Sequence, residues 1–364
     1  MRKELIELRR DPRLFGIVII APIFQLTVLG YAATTDVKDV PIVVVDPDRS
    51  ADSRDLIARF DASDNFTVVA VLDSTNEIDP WLEEARAWMA LSIPPDYGRH
   101  VASGEPVQLQ VVADGTDANS TNVALGYARM VIGGYAQDLV AERIGRIPDP
   151  PVRAAIRVWF NPDLESRVFM IPGIVALLLL VVTTNLSAMA IVREKEIGTL
   201  EQLNVTPLAR WELIVGKLIP YALVGMVDVV LVLIVAIWWF EVPMRGSLLL
   251  LFGMCGIYLL STLGLGLLIS TISATQQQAM MTSVFFFLTP MIYLSGFIFP
   301  IENMPAWIQP VTYLLPLRYF LVILRGLFLK GVGLETLWPQ ALALLVWGVA
   351  VLWLATIRSS KRLA

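Results

Sequence analysis

Two residue types that build covalent and metal frameworks are nearly missing from this 364-residue chain, which has one cysteine, Cys255, and one histidine, His100. One thiol excludes an intrachain disulfide and a cysteine-based metal site, and one imidazole excludes a histidine-rich one, so no metal site is expected. His100 reads as a surface residue of a polar region. Charge is scarce too: Asp, Glu, Lys and Arg make up 17% of the chain, against about 25% in soluble globular domains. No Gly-x-x-x-x-Gly-Lys-Ser/Thr phosphate-binding loop occurs, since Gly216-Lys217 is followed by Leu218 and has no upstream glycine in register. The chain is therefore expected to hydrolyse no nucleotide and to hold no catalytic residue or cofactor of its own. It shows no internal repeat of the kind found in many secondary transporters, and no nucleic-acid partner is expected.

Apolar residues are abundant instead, at 56% of the chain, with a mean hydropathy of +0.65. They fall in long runs, and about 20 such residues at 1.5 Å rise cross a hydrocarbon core of about 30 Å. Six spans are expected, over 14–31, 168–191, 218–239, 248–269, 280–299 and 337–356. Residues 1–13 mix Leu5, Ile6 and Leu8 with Arg2, Lys3, Arg9 and Arg10, as in a helix lying in a membrane interface. Asp11-Pro12 then suits a helix start. The acids Glu4, Glu7 and Asp11 argue for a retained first span over a cleaved leader.

Residues 32–167 hold 22 acids and 12 bases, a net of −10, leaving +5 for the remainder. The region predicts strands over 40–45, 66–71, 88–93 and 107–112 and helices over 50–60, 77–85 and 119–144, a small α/β domain. The expected fold is thus a membrane all-α bundle of six transmembrane helices with an inserted extracytoplasmic α/β domain, divided as 1–13, 14–31, 32–167 and 168–364. With the N-terminus inside, 12 lysines and arginines near span ends are cytoplasmic and only Arg245, Arg318, Arg325 and Lys330 lie outside, which fits the positive-inside rule. Both termini are then cytoplasmic. Between the fifth and sixth spans, 300–330 holds an apolar stretch too short to cross and interrupted by Arg318 and Arg325, seven apart on one helical face, which predicts an interfacial or re-entrant helix.

The segment between the second and third spans is the most informative. It reads REKEIGTLEQLNVTP from Arg193 to Pro207. Gly198 can end one helix. Thr199 and Gln202 have the spacing of a capping box for the next, and Thr206-Pro207 starts a third. A short helix over 199–205 is expected at the cytoplasmic surface, packing through Leu200 and Leu203 and presenting Glu201.

Asp228 lies near the middle of the third span. An acid at that depth must face the bundle interior. It reads either as part of a path for a cationic substrate or as an interhelical hydrogen-bonding group. Gly253, Gly256, Gly264 and Gly266 in the fourth span suit close helix packing, and Pro290 with Ser295-Gly296 suits a kink in the fifth.

The run REKEIGTLEQLNVTP resembles the cytoplasmic coupling segment of type-2 ATP-binding-cassette (ABC) transporter permeases, particularly the bacterial drug-export branch. RRDPRLFG, FNPDLESRVFMIPG, LSIPPDYGRHVASGEPVQLQVVADGTDAN and SGFIFPIENMPAWIQPVTYLLPLRYF are similar to that family as well. The resemblance implies an inner-membrane exporter subunit that works with separate ATPase subunits, which carry the ATP and magnesium. It also implies a second copy or a similar permease, and allows a periplasmic membrane-fusion protein. Glu194, Glu196, Glu201 and Gln202 would contact the ATPase, with Leu200 packing and Gly198, Thr199 and Pro207 setting helix ends. An outer gate segment would include Pro300, Pro305, Pro316, Arg318 and Arg325. A membrane-anchored sensor and a secondary transporter are the alternatives; the first would need a cytoplasmic signalling module, and no cytoplasmic stretch exceeds about 25 residues.

Overall fold

A computed structural model describes residues 16–32, 37–144, 159–162, 165–198 and 210–358. The chain divides into two compact units, one made of Met1–Thr34 and Arg157–Ala364 and the other of Thr35–Ile156.

The smaller unit is built on a four-stranded sheet, β1 Val40–Val45, β2 Phe66–Leu72, β3 Met89–Ser92 and β4 Gln110–Ala113, in the order β2-β1-β3-β4. The two central pairings, β1 with β2 and β1 with β3, are parallel, and β4 is an antiparallel edge on β3. β1 is apolar throughout, with β-branched residues at every position but Pro41, because both of its faces are covered. Val40, Ile42 and Val44 pack with Leu56, Phe60 and Tyr97, while Val43 and Val45 pack with Leu72, Ile78 and Ala90. The helices are α1 Ala51–Asp61, α2 Ile78–Glu83, α3 Tyr97–Ser103 and α4 Ala118–Ile144. Ser50 caps α1, its hydroxyl accepting from the Ser53 amide at 3.1 Å. Burial raises the pKa of the Tyr97 and Tyr135 hydroxyls above the ordinary phenol value. Helix α3 has no counterpart among the sequence expectations; the Pro94-Pro95 pair before it and Gly104 (φ +80°) after it read as turn punctuation.

The larger unit is helical. Its core is α6 Ser166–Ile197, which packs against α5 Ala21–Ala32, α7 Arg210–Ile234, α8 Leu248–Ile272, α9 Gln276–Thr282 and α11 Pro316–Arg325; α8 in turn packs along α12 Leu334–Arg358. At 32 residues, α6 is about 48 Å long, well beyond a hydrocarbon core of about 30 Å. Its Arg193–Ile197 end therefore continues the helix past any bilayer it crosses.

Among the described residues, four helices are long and apolar enough to cross a membrane: Ser166–Ile197, Ile214–Trp239, Leu248–Ile272 and Leu334–Arg358. The first, third and fifth expected spans each contain a π-helical turn, in the third at its Val235–Trp239 end. A π-helical turn Gly16–Ile20 precedes α5, and another, Ser283–Leu288, separates α9 from α10 Thr289–Leu294. Pro290 explains the second, because its ring has no N–H and crowds the preceding turn. Thr289 answers by donating its hydroxyl to the Val284 carbonyl five residues back, at 2.8 Å. This helix begins at its Thr275 cap and ends before Gly296 (φ +84°), so it sits earlier than the expected 280–299.

Small polar residues stitch the core. The Thr183 hydroxyl donates to Thr262 Oγ1 at 2.7 Å, Thr184 to the Thr262 carbonyl at 3.2 Å and Ser187 to the Leu263 carbonyl at 3.1 Å. Gly266 permits this approach: a β-carbon there would lie 2.5 Å from the Thr184 carbonyl oxygen.

Candidate functional site

The end of α6 forms a clasp of three consecutive charges. Each of the three is held by a different element. Glu194, buried, forms an ion pair with Lys217 of α7. Lys195 donates its ammonium to the Ser270 carbonyl at the end of α8 and to the Ser273 carbonyl at 3.3 Å. Glu196 accepts from the Gln276 amide, the first residue of α9, at 2.8 Å, and from the Gln276 side chain. Consecutive helical residues point about 100° apart, so one turn reaches three neighbours. Gly198, with φ +80°, closes the helix, its amide bonding the Lys195 carbonyl at 3.2 Å. The positive φ needs a residue without a β-carbon.

Two of the sequence-selected carboxylates are thus engaged within the chain. Glu194 faces α7 because Lys217 lies on that helix's apolar side with Ile214, Leu218 and Tyr221, and a cation there must be paired. Glu196 is exposed while it holds α9. Thr199, Leu200, Glu201, Gln202 and Pro207, and the expected 199–205 helix, lie outside the described residues. Lys195, Lys217, Ser270, Ser273 and Gln276 were not selected from sequence as site residues. The signal for Lys217 is a cation at the i+3 position in a series of buried apolar residues; the serine carbonyls left no signal.

Asp228 sits in α7, 1% exposed, and one side-chain oxygen is buried without a hydrogen bond. The interhelical bond that a purely structural role would need is not made among the described residues. One turn earlier, Gly225 lies against Thr183 and Leu259, so this face of α7 meets the polar stitch of the core.

At the opposite end of α6 lies the outer segment. Pro300 precedes the short turn Ile301–Asn303, the Pro305 carbonyl accepts from the Ile308 amide at 2.9 Å, and Pro316 starts α11. With the π-helical turn Gly326–Lys330 after it, α11 spans about 22 Å, too short to cross. Its buried face carries Leu317, Phe320, Leu321 and Leu324, with Phe320 stacked on Tyr258 of α8 at 3.9 Å. The Trp347 indole of α12 donates to the Leu314 carbonyl at 2.9 Å. Arg318 and Arg325 line one cavity of about 320 Å³ beside Ser295 and Phe169. Exposed aromatic rings gather at this end, including Tyr31, Trp239, Trp307 and Trp338, as at a membrane–water boundary.

A family profile described as "ABC-2 family transporter protein" matches residues 12–357. The chain belongs to that family. Among curated proteins it is 35% identical over 346 residues to "Probable multidrug ABC transporter permease YbhR" of Escherichia coli (strain K12), covering 95% of this chain and 93% of that one. To "Probable multidrug ABC transporter permease YbhS" of the same organism it is 33% identical over 362 residues, covering 99% and 96%. A more distant likeness, 25% over 228 residues and 31% of the other chain, is to "ABC transporter G family member 20" of Dictyostelium discoideum. This ABC permease is a multi-pass membrane protein, and the sensor and secondary-transporter readings fall away.

Proposed function

We propose that this chain is the membrane subunit of an ABC exporter that moves a drug-like or amphipathic substrate out of the cytoplasm or the inner leaflet of the bacterial inner membrane. The energy comes from ATP bound with magnesium by separate ATPase subunits, and this chain is not an enzyme. In this reading the chain crosses six times, three of the spans containing π turns, with both termini in the cytoplasm and the 32–167 domain outside, as the lysine and arginine bias supports. A second copy or a similar permease completes the path, and a periplasmic membrane-fusion protein is a further partner. The substrate class is supported by the names of the two E. coli relatives.

The observation that carries this reading is the clasp. Glu194, Lys195 and Glu196 tie α6 to α7, α8 and α9 immediately before Gly198, where the 199–205 segment begins. A push on that segment from a closing ATPase reaches four helices at once through short polar links. Thr199 caps the coupling helix and Glu201 docks on the ATPase, with Leu200 and Gln202 beside it and Pro207 starting the return into α7.

The test is Glu201→Lys in the assembled transporter. Reversing a rim charge weakens docking without unfolding the bundle. Expression and thermal stability should stay unchanged while ATPase co-purification and transport fall together. Full transport by this variant at normal expression removes the coupling role.

A further inference from the structure

The cavity at the end of α6 remote from the clasp holds two guanidinium groups, with no counter-charge in contact with them among the described residues. Arg325 donates to the Gly296 carbonyl at 3.1 Å and to the Phe297 carbonyl at 3.4 Å, and its flat face lies 3.8 Å from the centre of the Phe169 ring. Its Nε is buried without an acceptor. Arg318 donates to Thr312 Oγ1 and stacks on Tyr313. Neither forms an ion pair among the described residues. An arginine side chain keeps its charge at any relevant pH, so carbonyl dipoles and ring faces are all that balance it.

A third group is idle in the same cavity. Ser295 is 2% exposed and its hydroxyl has no partner, although it lines the cavity with both arginines. Glu302, on the exposed rim, is the one acid in the lining. A cavity of about 320 Å³ holding two cations, an unused Nε–H and an unused hydroxyl is complementary to anionic oxygens, which accept short charge-assisted bonds from such donors. The rest of the lining suits an apolar tail, with Phe297, Ile298, Leu321 and Val322 beside the polar groups.

We propose that this cavity binds the phosphate or carboxylate headgroup of an amphiphile, with Arg318 and Arg325 as its cationic donors and Ser295 as its hydroxyl donor. Placement in the outer leaflet rests on the topology proposed above, whereas the anion chemistry does not. The site lies where the re-entrant helix α11 meets the Gly296 turn, so an occupied cavity bridges two elements of the outer segment.

The test uses the purified full chain in a neutral detergent, titrated separately with dioleoyl phosphatidylglycerol, inorganic phosphate and dioleoylglycerol while the melting temperature is followed. Phosphatidylglycerol should raise it saturably and dioleoylglycerol should not. A rise with phosphatidylglycerol and not with phosphate supports the amphiphile headgroup, whereas an equal rise with phosphate leaves an anion site and overturns the amphiphile as its occupant. Arg318→Gln should weaken the apparent affinity about tenfold, the usual worth of a hydrogen bond to a charged group. Ser295→Ala should weaken it less. Glu302→Gln, which removes an exposed rim charge and leaves the fold alone, should tighten it. Equal stabilisation by dioleoylglycerol, or an affinity unmoved by both Arg318→Gln and Glu302→Gln, overturns the proposal. Should Arg318→Gln fail to fold, the Glu302→Gln and Ser295→Ala shifts decide.

Discussion

Glu194 and Lys217 form an ion pair in which each side chain is 11% exposed, joining the end of one membrane-crossing helix to the beginning of the next. The helices flank the segment through which the ATPase is proposed to act. A buried pair of this kind says little about net stability, because desolvating two charges offsets most of their attraction. Its effect is on geometry: it fixes where α6 stops relative to where α7 starts.

Breaking one side of the pair leaves a buried charge without a partner, which costs about 3 kcal/mol or more. Glu194→Gln and Lys217→Met should each lower the melting temperature of the purified chain. Combining Glu194→Leu with Lys217→Met should restore most of it while transport stays impaired, since the packing survives without the fixed register. A double variant with full transport would show that the pair has no part in coupling.

Gly266 and Gly253 separate close packing from mere helix composition. A β-carbon at Gly266 meets the Thr184 carbonyl at 2.5 Å and the Ser187 β-carbon at 2.6 Å, whereas one at Gly253 meets nothing within 4 Å. Gly266→Ala should therefore destabilise by about 1–3 kcal/mol, and Gly253→Ala should be neutral or slightly stabilising. Thermal denaturation of both variants in one detergent checks the contrast.

The first two strands of the α/β unit were legible in the sequence because they are rich in β-branched residues and bounded by turn residues: β1 occupies the expected 40–45 and β2 runs one residue past 66–71. Lengths of apolar runs likewise located the four long helices. The clasp was not legible, since Lys195 meets a carbonyl 75 residues away and Glu196 an amide 80 residues away, and no local pattern encodes such pairings. Asp228 was visible as an anomaly, but neither a partner nor a path could be read from its depth alone. The paired arginines were visible too; that they share one cavity with Ser295 depends on the turn at Gly296, a tertiary fact.

The proposed orientation has a direct check. Twelve of the sixteen lysines and arginines outside the 32–167 region fall on one side under it, and such a bias sets topology. A cytoplasm-active reporter fused after Ala364 and an exterior-active one placed within 46–115 should both be active in cells. Activity of the same reporter type at both positions rules this topology out.

Gly198 is where the clasp hands over to the coupling segment, and its φ of +80° makes the hand-over testable. A residue with a β-carbon resists the left-handed conformation by about 1 kcal/mol, too little to unfold a bundle in which α6 packs against five other helices. It is enough to favour an extra turn of α6 and so to redirect the segment that follows. Gly198→Ala should insert and melt like the parent chain and should still co-purify with the ATPase, because the docking residues are untouched. What should change is the link between the two activities: ATP hydrolysis persisting while transport per ATP falls several-fold. Gly198→Asn, which tolerates the left-handed region better than alanine, should recover part of that ratio. A helix end that served only as a connection would show the same ratio in all three proteins.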